Sequence, residues 1–266
     1  MRRDVLELRQ FYASRLGKVV REMTSRKVVE AWDSAEGLDI LGLGYATPFL
    51  GSFAATARRV VGAMPAQQGV EMWPAGLHNR VCLCGEHTLP FRNAMFDRIL
   101  AVHALEESPD PLALLREVWR VLSPSGRVVV VVAARNGLWA NSETTPFGHG
   151  RPFSRTQLAE LLREAELEPS GWTRALYAPP MNWAAGWAEG FEQAGSHLWP
   201  GFSGLVLMEA VKKTFAVKPR GARARVRAAA PVLNPLPVGR SRAPGSFQRL
   251  TTEPKVPPLG GDCGSS

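Results

Sequence analysis

Residues 38–47 read LDILGLGYAT, a short apolar run that enters a Gly-x-Gly turn. The run predicts a buried strand over residues 38–43, and the chain after Pro48 has the composition of a helix. Glycines in such a turn let backbone N–H groups approach a ligand where a side chain would block them. On its own the motif is weak, because the third glycine position holds Ala46 and a tight structural turn would read the same.

Strands and helices alternate after this turn. The pattern predicts further strands at 59–64, 81–84, 96–103, 127–132, 172–177 and 202–211, and helices at 48–57, 111–122 and 156–167. The strand at 127–132 is apolar at nearly every position, as in a parallel sheet buried on both faces. The alternation predicts an α/β, doubly wound domain, whose ligands bind beyond the carboxyl ends of the strands. The loops after Leu43, Met64, His103 and Ala134 are therefore expected around one crevice.

Two further segments have helical spacing. Residues 4–32 predict one or two helices with a break at Gly17, and they would form either a lid over a cofactor or, as we favour, an extra layer. Trp183, Trp187 and Phe191 fall at i, i+4 and i+8 of a predicted helix. We interpret them as facing the sheet, with an exposed contact face for a hydrophobic substrate or a membrane as the alternative.

Composition divides the chain into three parts: a helical segment at 1–35, the α/β domain at 36–217, and a basic Pro/Arg/Ala-rich tail at 218–266 that is predicted to be disordered. The whole chain of 266 residues carries a formal net charge of +8. Most of that charge lies in the tail, so it says little about the folded part. The arginines of the tail predict weak binding of nucleic acid or acidic lipid by counterion release.

The cysteines and the apolar runs indicate in which cellular compartment the protein is expected. Three cysteines form no disulfide framework, and Cys82-x-Cys84 lacks the second pair of a metal site, so no metal is expected. No signal peptide is visible, and the longest apolar run, at 128–134, is too short to span a bilayer. The sequence therefore predicts a soluble cytoplasmic protein.

Five short motifs follow one another over residues 36–211. They are Asp39-x-x-Gly42-x-Gly44, Leu89-Pro90-Phe91-x4-Phe96-Asp97, His103-Ala104-Leu105-Glu106-x3-Asp110-Pro111, Leu115-x3-Trp119-Arg120-Val121-Leu122-x-Pro124-x-Gly126 and Pro152-Phe153-Ser154-x-x-Gln157-Leu158. In this order they resemble the class I S-adenosylmethionine (SAM)-dependent methyltransferases, specifically the bacterial type 11-like methyltransferase domain.

The resemblance implies a Rossmann-like sheet of seven strands with the last strand antiparallel, and SAM as the cofactor and methyl donor. Gly42 and Gly44 would pass under the methionine part of SAM. Glu86 would accept a hydrogen bond from the adenine amino group. Val102 and His103, at the end of the fourth strand, would face the sulfonium and the substrate.

Two positions depart from the family pattern. The acid that precedes the first glycine by two positions is replaced by Ile40, and Asp39 lies one residue away, on the opposite face of a strand. The acid that ends the second strand and accepts both ribose hydroxyls is replaced by Ala63 or Met64. Asp39 and Met64 still mark the expected cofactor-binding positions. The loop side chains of Gln67, Gln68 and Glu71 are the candidates to replace the missing acid.

Methyl transfer needs an acceptor held in line with the methyl group and sometimes a base. The candidate catalytic bases are His103 and His149, with Tyr177 behind them, although each can be a purely structural residue. No Asn/Asp-Pro-Pro-Tyr/Phe segment follows the fourth strand, which argues against methylation of base amino groups. We therefore predict a SAM-dependent methyltransferase with a small-molecule acceptor. The alternatives are a catalytically inactive methyltransferase-like binding or regulatory protein and an RNA-associated protein recruited by its tail.

Overall fold

A computed structural model of the chain describes residues 2–198, 202–213 and 248–249. In these residues the strands are Asp39–Gly44 (β1), Arg59–Pro65 (β2), Val81–Cys84 (β3), Phe96–Val102 (β4), Leu122–Ala133 (β5), Leu167–Ala175 (β6), Leu205–Lys212 (β7) and Gln248–Arg249 (β8). The α-helices are Val5–Ala13 (α1), Arg15–Trp32 (α2), Thr47–Leu50 (α3), Pro111–Val121 (α4), Arg155–Glu164 (α5) and Ala188–Leu198 (α6).

The strands form one sheet in the order β3-β2-β1-β4-β5-β7-β6-β8. Strands β1 to β5 pair in parallel, and β7 is antiparallel to both β5 and β6. The predicted seven-stranded sheet with an antiparallel last strand is confirmed in β1 to β7. The two-residue strand β8 adds to the outer edge of β6.

The sheet is buried on both faces. Val129 and Val131 of β5 join the core beneath α1 and α2, whereas Val128, Val130 and Val132 join the core beneath α4 and α5. Successive strand side chains point to opposite faces, so a strand between two helical layers must be apolar throughout. This two-sided burial explains the continuous valine run.

The first helical segment breaks at Ser14, and the predicted break at Gly17 is wrong. Ser14 lies in extended backbone between α1 and α2, and its hydroxyl accepts a hydrogen bond from the Gly17 N–H at 3.0 Å. A serine N-cap of this kind starts a new helix. Gly17 instead lies against the Phe11 carbonyl, where a Cβ would collide.

Two further predictions need correction. The helix expected at 48–57 is only α3 followed by a 3-10 turn at Gly51–Phe53. The tryptophans expected to face the sheet are exposed, with 63% of Trp183 and 72% of Trp187 accessible. The reason is a 3-10 turn at Ala184–Trp187, in which the small alanines are buried instead. Three residues per turn in a 3-10 helix do not keep positions i and i+4 on one face.

The predicted tail at 218–266 lies outside the described residues, apart from β8. Its expected disorder and its anion binding therefore stay predictions, as do the three domain boundaries. Across the part of the chain that the structure describes, every helix is too short or too polar to cross a bilayer.

Candidate functional site

The carboxyl ends of β1, β2 and β4 lie at one edge of the sheet. Gly44 pairs in register with Val102, and Leu43 pairs with Ala63, one residue before Met64. The loops that follow these strands meet above this edge, as predicted for a doubly wound sheet. We call the space above these three strand ends the crevice.

The Gly-x-Gly turn forms the floor of the crevice. Gly44 has a φ of +76°, which favours glycine, and a Cβ there would collide with the Val102 carbonyl oxygen. A Cβ at Gly42 would lie 2.6 Å from Cδ1 of Leu50. The Tyr45 N–H donates to the Val102 carbonyl at 2.8 Å and fixes the turn against β4. Gly44 is therefore required by the backbone of the turn itself, whereas a Cβ at Gly42 would crowd the side chains of Leu50 and Ala46.

Residues 2–13, which we call the covering segment, form the roof of the crevice. The Tyr12 ring stacks on Tyr45 with a centroid distance of 5.6 Å and meets Phe49 edge-on at 5.5 Å. The Val5 N–H donates to the Gln68 carbonyl at 2.8 Å, beyond the end of β2. The segment thus packs on the crevice as an extra layer, the favoured interpretation of its sequence, and its action as a lid stays a prediction.

The side chain of Arg2 fills the polar end of the crevice. Its guanidinium is 0% exposed and donates from Nε to Oε1 of Glu86 at 2.5 Å, from Nη1 to the His103 carbonyl at 3.0 Å and from Nη2 to the Ala104 carbonyl at 2.7 Å. The second carboxylate oxygen of Glu86 accepts from the Ser108 hydroxyl at 2.7 Å. Both oxygens of Glu86 are therefore already bonded.

The charge of Glu86 is preserved in this pocket. Burial alone would raise the pKa of Glu86, but the hydrogen bonds from Arg2 and Ser108 and the positive charge of Arg2 together hold it below its usual value. A hydrogen-bonded, ionised pair is the form in which buried charges are tolerated. The crevice therefore contains an Arg2–Glu86 ion pair at neutral pH.

His103 lies directly under the covering segment. Its ring is buried, its φ is +51°, and Nε2 shares a hydrogen bond of 2.8 Å with the Tyr12 hydroxyl. Burial, followed by the nearby charge of Arg2, lowers the pKa of His103 to about 3. A base with so low a pKa accepts protons poorly at neutral pH. In this arrangement His103 is a neutral hydrogen-bonding partner of Tyr12.

His149 lies near the outer end of the covering segment. The Arg3 guanidinium contacts its Nε2, which also lies 3.0 Å from the Glu143 carbonyl oxygen. Phe147, two residues earlier, packs on the His103 ring with a centroid distance of 4.5 Å. The two predicted bases thus belong to the same edge of the sheet, but each is held by its own partners.

The structure does not bring Asp39 to the crevice. Asp39 begins β1, whereas Gly44 ends it, and its carboxylate accepts two hydrogen bonds from Arg58 at 2.9 and 2.7 Å. The hydrogen bonds from Arg58 lower the pKa of Asp39 despite its burial. Asp39 therefore ties β1 to the start of β2, and its prediction as a cofactor-binding residue fails on position. Met64 and Val102 do lie at the correct edge, and both are fully buried.

Two buried side chains near the crevice have unpaired polar atoms. Gln68, 1% exposed, has no partner for its side-chain nitrogen or oxygen among the described residues. Glu106, 4% exposed, has no partner for Oε2 within the described part of the chain, while Oε1 accepts from the Ala133 N–H at 3.3 Å. Burial raises the pKa of Glu106 to about 7. Orphaned buried polar atoms are rare and point to a ligand, a water or another state.

The crevice as described does not fit SAM. The cofactor would need a free acceptor for its adenine amino group, acceptors for two ribose hydroxyls and space above the glycine turn. The Arg2 guanidinium covers Glu86, the Met64 side chain has no oxygen, and Tyr12 lies on Tyr45 above the turn. The residues present therefore exclude SAM for as long as the covering segment stays in place.

Comparison with known proteins agrees with this fold. The family model described as "Methyltransferase domain" matches residues 38–130. A SAM-dependent methyltransferase of Thermotoga maritima superposes with a TM-score of 0.55 at 19% identity, over 79% of this chain and 96% of that one. The fold is that of the class I SAM-dependent methyltransferases. The predicted resemblance is thereby confirmed.

Other relatives with this methyltransferase fold carry different names. A demethylmenaquinone methyltransferase of Lactococcus lactis subsp. lactis (strain IL1403) is 33% identical over 78 residues, which are 29% of this chain and 31% of that protein. The chain thus spans less than a third of this curated relative. The 4+2 cyclase SpnF superposes with a TM-score of 0.50 at 23% identity, over 71% of this chain and 79% of that one.

Proposed function

We propose that the chain is a SAM-dependent methyltransferase for a small-molecule acceptor, and that its crevice admits SAM only after the covering segment moves away. The observation that carries the proposal is the buried side chain of Gln68, which lies next to that segment and has no partner among the residues that the structure describes. It follows β2 by three residues, near the position where the resembled family places an acceptor for the ribose hydroxyls.

The closed arrangement has an energetic cost that a ligand would remove. A buried amide without hydrogen bonds destabilises a protein by about 1–3 kcal/mol. The two hydroxyls of a ribose both donate and accept, so they would satisfy the Gln68 amide. Gln68 thus supplies a substitute for the carboxylate that Met64 cannot provide.

Two observations support a small molecule as the acceptor. The chain after β4 reads Val102-His103-Ala104-Leu105 and lacks the Asn/Asp-Pro-Pro segment that binds the amino groups of nucleobases. The curated relative is named for demethylmenaquinone, a small molecule. Because the match covers only part of that protein, the proposal extends to the class of acceptor and not to one compound.

The test is calorimetry of the full chain with S-adenosylhomocysteine, using Gln68→Met and its exposed neighbour Gln67→Met as a matched pair. Gln68→Met keeps the length of the side chain and removes the unpaired amide. We expect this variant to bind S-adenosylhomocysteine about tenfold more weakly, since one or two hydrogen bonds are lost. Its thermal stability without ligand should be unchanged or higher.

Gln67→Met should leave both the affinity and the stability unchanged. The proposal would be contradicted by the absence of both heat and thermal shift with millimolar S-adenosylhomocysteine in the wild-type chain. Equal affinities of the two variants would leave Gln68 without a role in the site.

A second candidate is a catalytically inactive binding module with the same fold. The observation that favours it is the filled crevice, in which Arg2 occupies Glu86 and Met64 replaces an acid. One fold can host unrelated functions, and the cyclase relative is named for a different activity. Failure to bind S-adenosylhomocysteine even after the covering segment is loosened would favour this candidate.

A further inference from the structure

We infer that Arg2 is an internal competitor of the cofactor: its guanidinium closes the crevice by occupying the Glu86 pocket, so that ligand binding and closure by the covering segment exclude each other. The inference concerns the regulation of the proposed cofactor site and rests on the proposed function. Arg2 belongs to the first few residues of the chain and reaches across 84 positions to Glu86.

The Glu86 pocket is built to receive a planar cation. Its acceptors are one carboxylate oxygen of Glu86 and the carbonyls of His103 and Ala104. Each of the three nitrogens of the Arg2 guanidinium donates to one of these acceptors. Arginine presents its donors in a rigid fork, which suits several fixed acceptors at once. Ser108 holds the other oxygen of Glu86 and so fixes the carboxylate plane.

Glu86 is the acid nearest the position at which the resembled family binds the adenine amino group. An amino group on a flat purine ring and a guanidinium present similar N–H donors to a carboxylate. The Glu86 side chain is only 6% exposed and the buried Arg2 side chain covers it, so a second donor has no space to approach its oxygens. Any adenine-bearing ligand must therefore displace Arg2 before it can use Glu86.

To open the crevice, the covering segment must release its polar contacts and the apolar packing of Val5, Leu8 and Tyr12 in the core beneath it. At the start of the segment, Arg2 donates to the His103 carbonyl, and the Arg3 N–H donates to Oε2 of Glu107 at 2.6 Å. At its end, the Tyr12 hydroxyl shares a hydrogen bond with the His103 ring. The segment continues into α2 through Ser14, a single extended residue between two helices. Hinges of moving elements are commonly such element-terminal residues.

Closure by Arg2 lowers the apparent affinity for a ligand in proportion to the open fraction. When the binding-competent state is a minor one, the apparent dissociation constant rises by the inverse of its population. Weakening the Arg2 contacts raises that population. The ligand should then bind more tightly without any new contact to it.

The experiment compares the full wild-type chain with Arg2→Gln and with the matched control Arg3→Gln. Arg3 is the neighbouring arginine, and its side chain pairs with Glu7 and His149 instead of Glu86. Amide hydrogen exchange of residues 5–13 reports closure, and calorimetry with S-adenosylhomocysteine reports binding. We expect Arg2→Gln to raise the exchange of residues 5–13 and to tighten binding at least tenfold, while Arg3→Gln, which leaves Arg2 on Glu86, does not change the affinity.

These outcomes distinguish closure of the crevice by Arg2 from the proposed function. Unchanged exchange in Arg2→Gln would overturn the inference whatever the affinity, and raised exchange with unchanged, measurable affinity would overturn the competition. Raised exchange with no binding in any variant would support closure by Arg2 and reject the proposed function. Arg2→Lys, which keeps the charge but loses the fork, gives the same comparison if Arg2→Gln does not fold.

Discussion

At the scale of single residues, the crevice contains both buried polar groups that are paired and buried polar groups that are not. Arg2 and Glu86 satisfy each other, whereas Gln68 and Glu106 keep atoms without a partner among the described residues. Glu106 lies at the ends of β4 and β5 beside the backbone of Ala133. A buried carboxyl with this environment prefers its neutral form. The stability of the fold should therefore depend on pH through this residue.

The pH dependence of Glu106 has a defined sign. Burial raises the folded pKa from 4.5 to about 7, so the folded state binds the proton more tightly than the unfolded state. The contribution of protonated Glu106 to the stability of the folded state is fully present below pH 4.5 and is lost as pH rises to about 7. Between pH 4.5 and 7 we therefore expect the free energy of unfolding of Glu106→Gln to rise by about 3 kcal/mol relative to that of the wild type. Urea denaturation at several pH values measures this difference.

The comparison between variant and wild type is needed because His103 acts in the opposite direction. Its pKa is lowered to about 3, mainly by burial, so its contribution is present above its unfolded value of 6.5 and is lost as pH falls toward 3. Subtracting the two denaturation curves removes the His103 contribution. If the difference in the free energy of unfolding between Glu106→Gln and the wild type stays constant from pH 4.5 to 7, the pKa of Glu106 is not raised.

At the scale of elements, the glycine turn and the break between α1 and α2 set the shape of the crevice. The turn needs a positive φ at Gly44 to place Tyr45 under the covering segment. Ser14 separates α1, which lies over the crevice, from α2, which packs against α3 and β6. These two short connections decide what can enter the site.

Gly44→Ala and Gly51→Ala form a matched pair for the turn. Alanine at 44 would adopt a left-handed φ and collide with the Val102 carbonyl, whereas a Cβ at 51 has nothing within 4 Å. We expect Gly44→Ala to lower the free energy of unfolding by at least about 2 kcal/mol, because backbone strain of this kind alone costs about 1–3 kcal/mol.

Gly51→Ala should leave stability unchanged or raise it by up to about 1 kcal/mol, since alanine is the better helix former. Chemical denaturation followed by tryptophan fluorescence measures both variants. Equal stabilities of the two variants would show that the turn is not the constrained element that its backbone indicates.

At the scale of the whole molecule, the sequence was informative where a pattern repeats along an element. The valine run of β5 and the alternation of strands and helices predicted a doubly wound sheet with a strand buried on both faces. Five short motifs predicted the methyltransferase fold. Each of these signals depends on local periodicity or on fixed spacing, which survives without knowledge of distant contacts.

The contents of the crevice could not be predicted, because they depend on contacts across the chain. Arg2 is 84 residues from Glu86 and Tyr12 is 91 residues from His103. No local pattern marks either pair. The prediction for Asp39 failed because Asp39 begins β1 and so lies at the opposite end of the strand from the crevice, where its carboxylate binds Arg58. The exposed tryptophans followed from a 3-10 turn that breaks the helical period.

The central claim is that the covering segment and the cofactor exclude each other. The most direct measurement is amide hydrogen exchange of the wild-type chain with and without saturating S-adenosylhomocysteine. We predict that the ligand raises exchange in residues 5–13, which leave the crevice, and lowers exchange at residues 42–46, which the ligand covers. Exchange that is unchanged in both segments would contradict the claim.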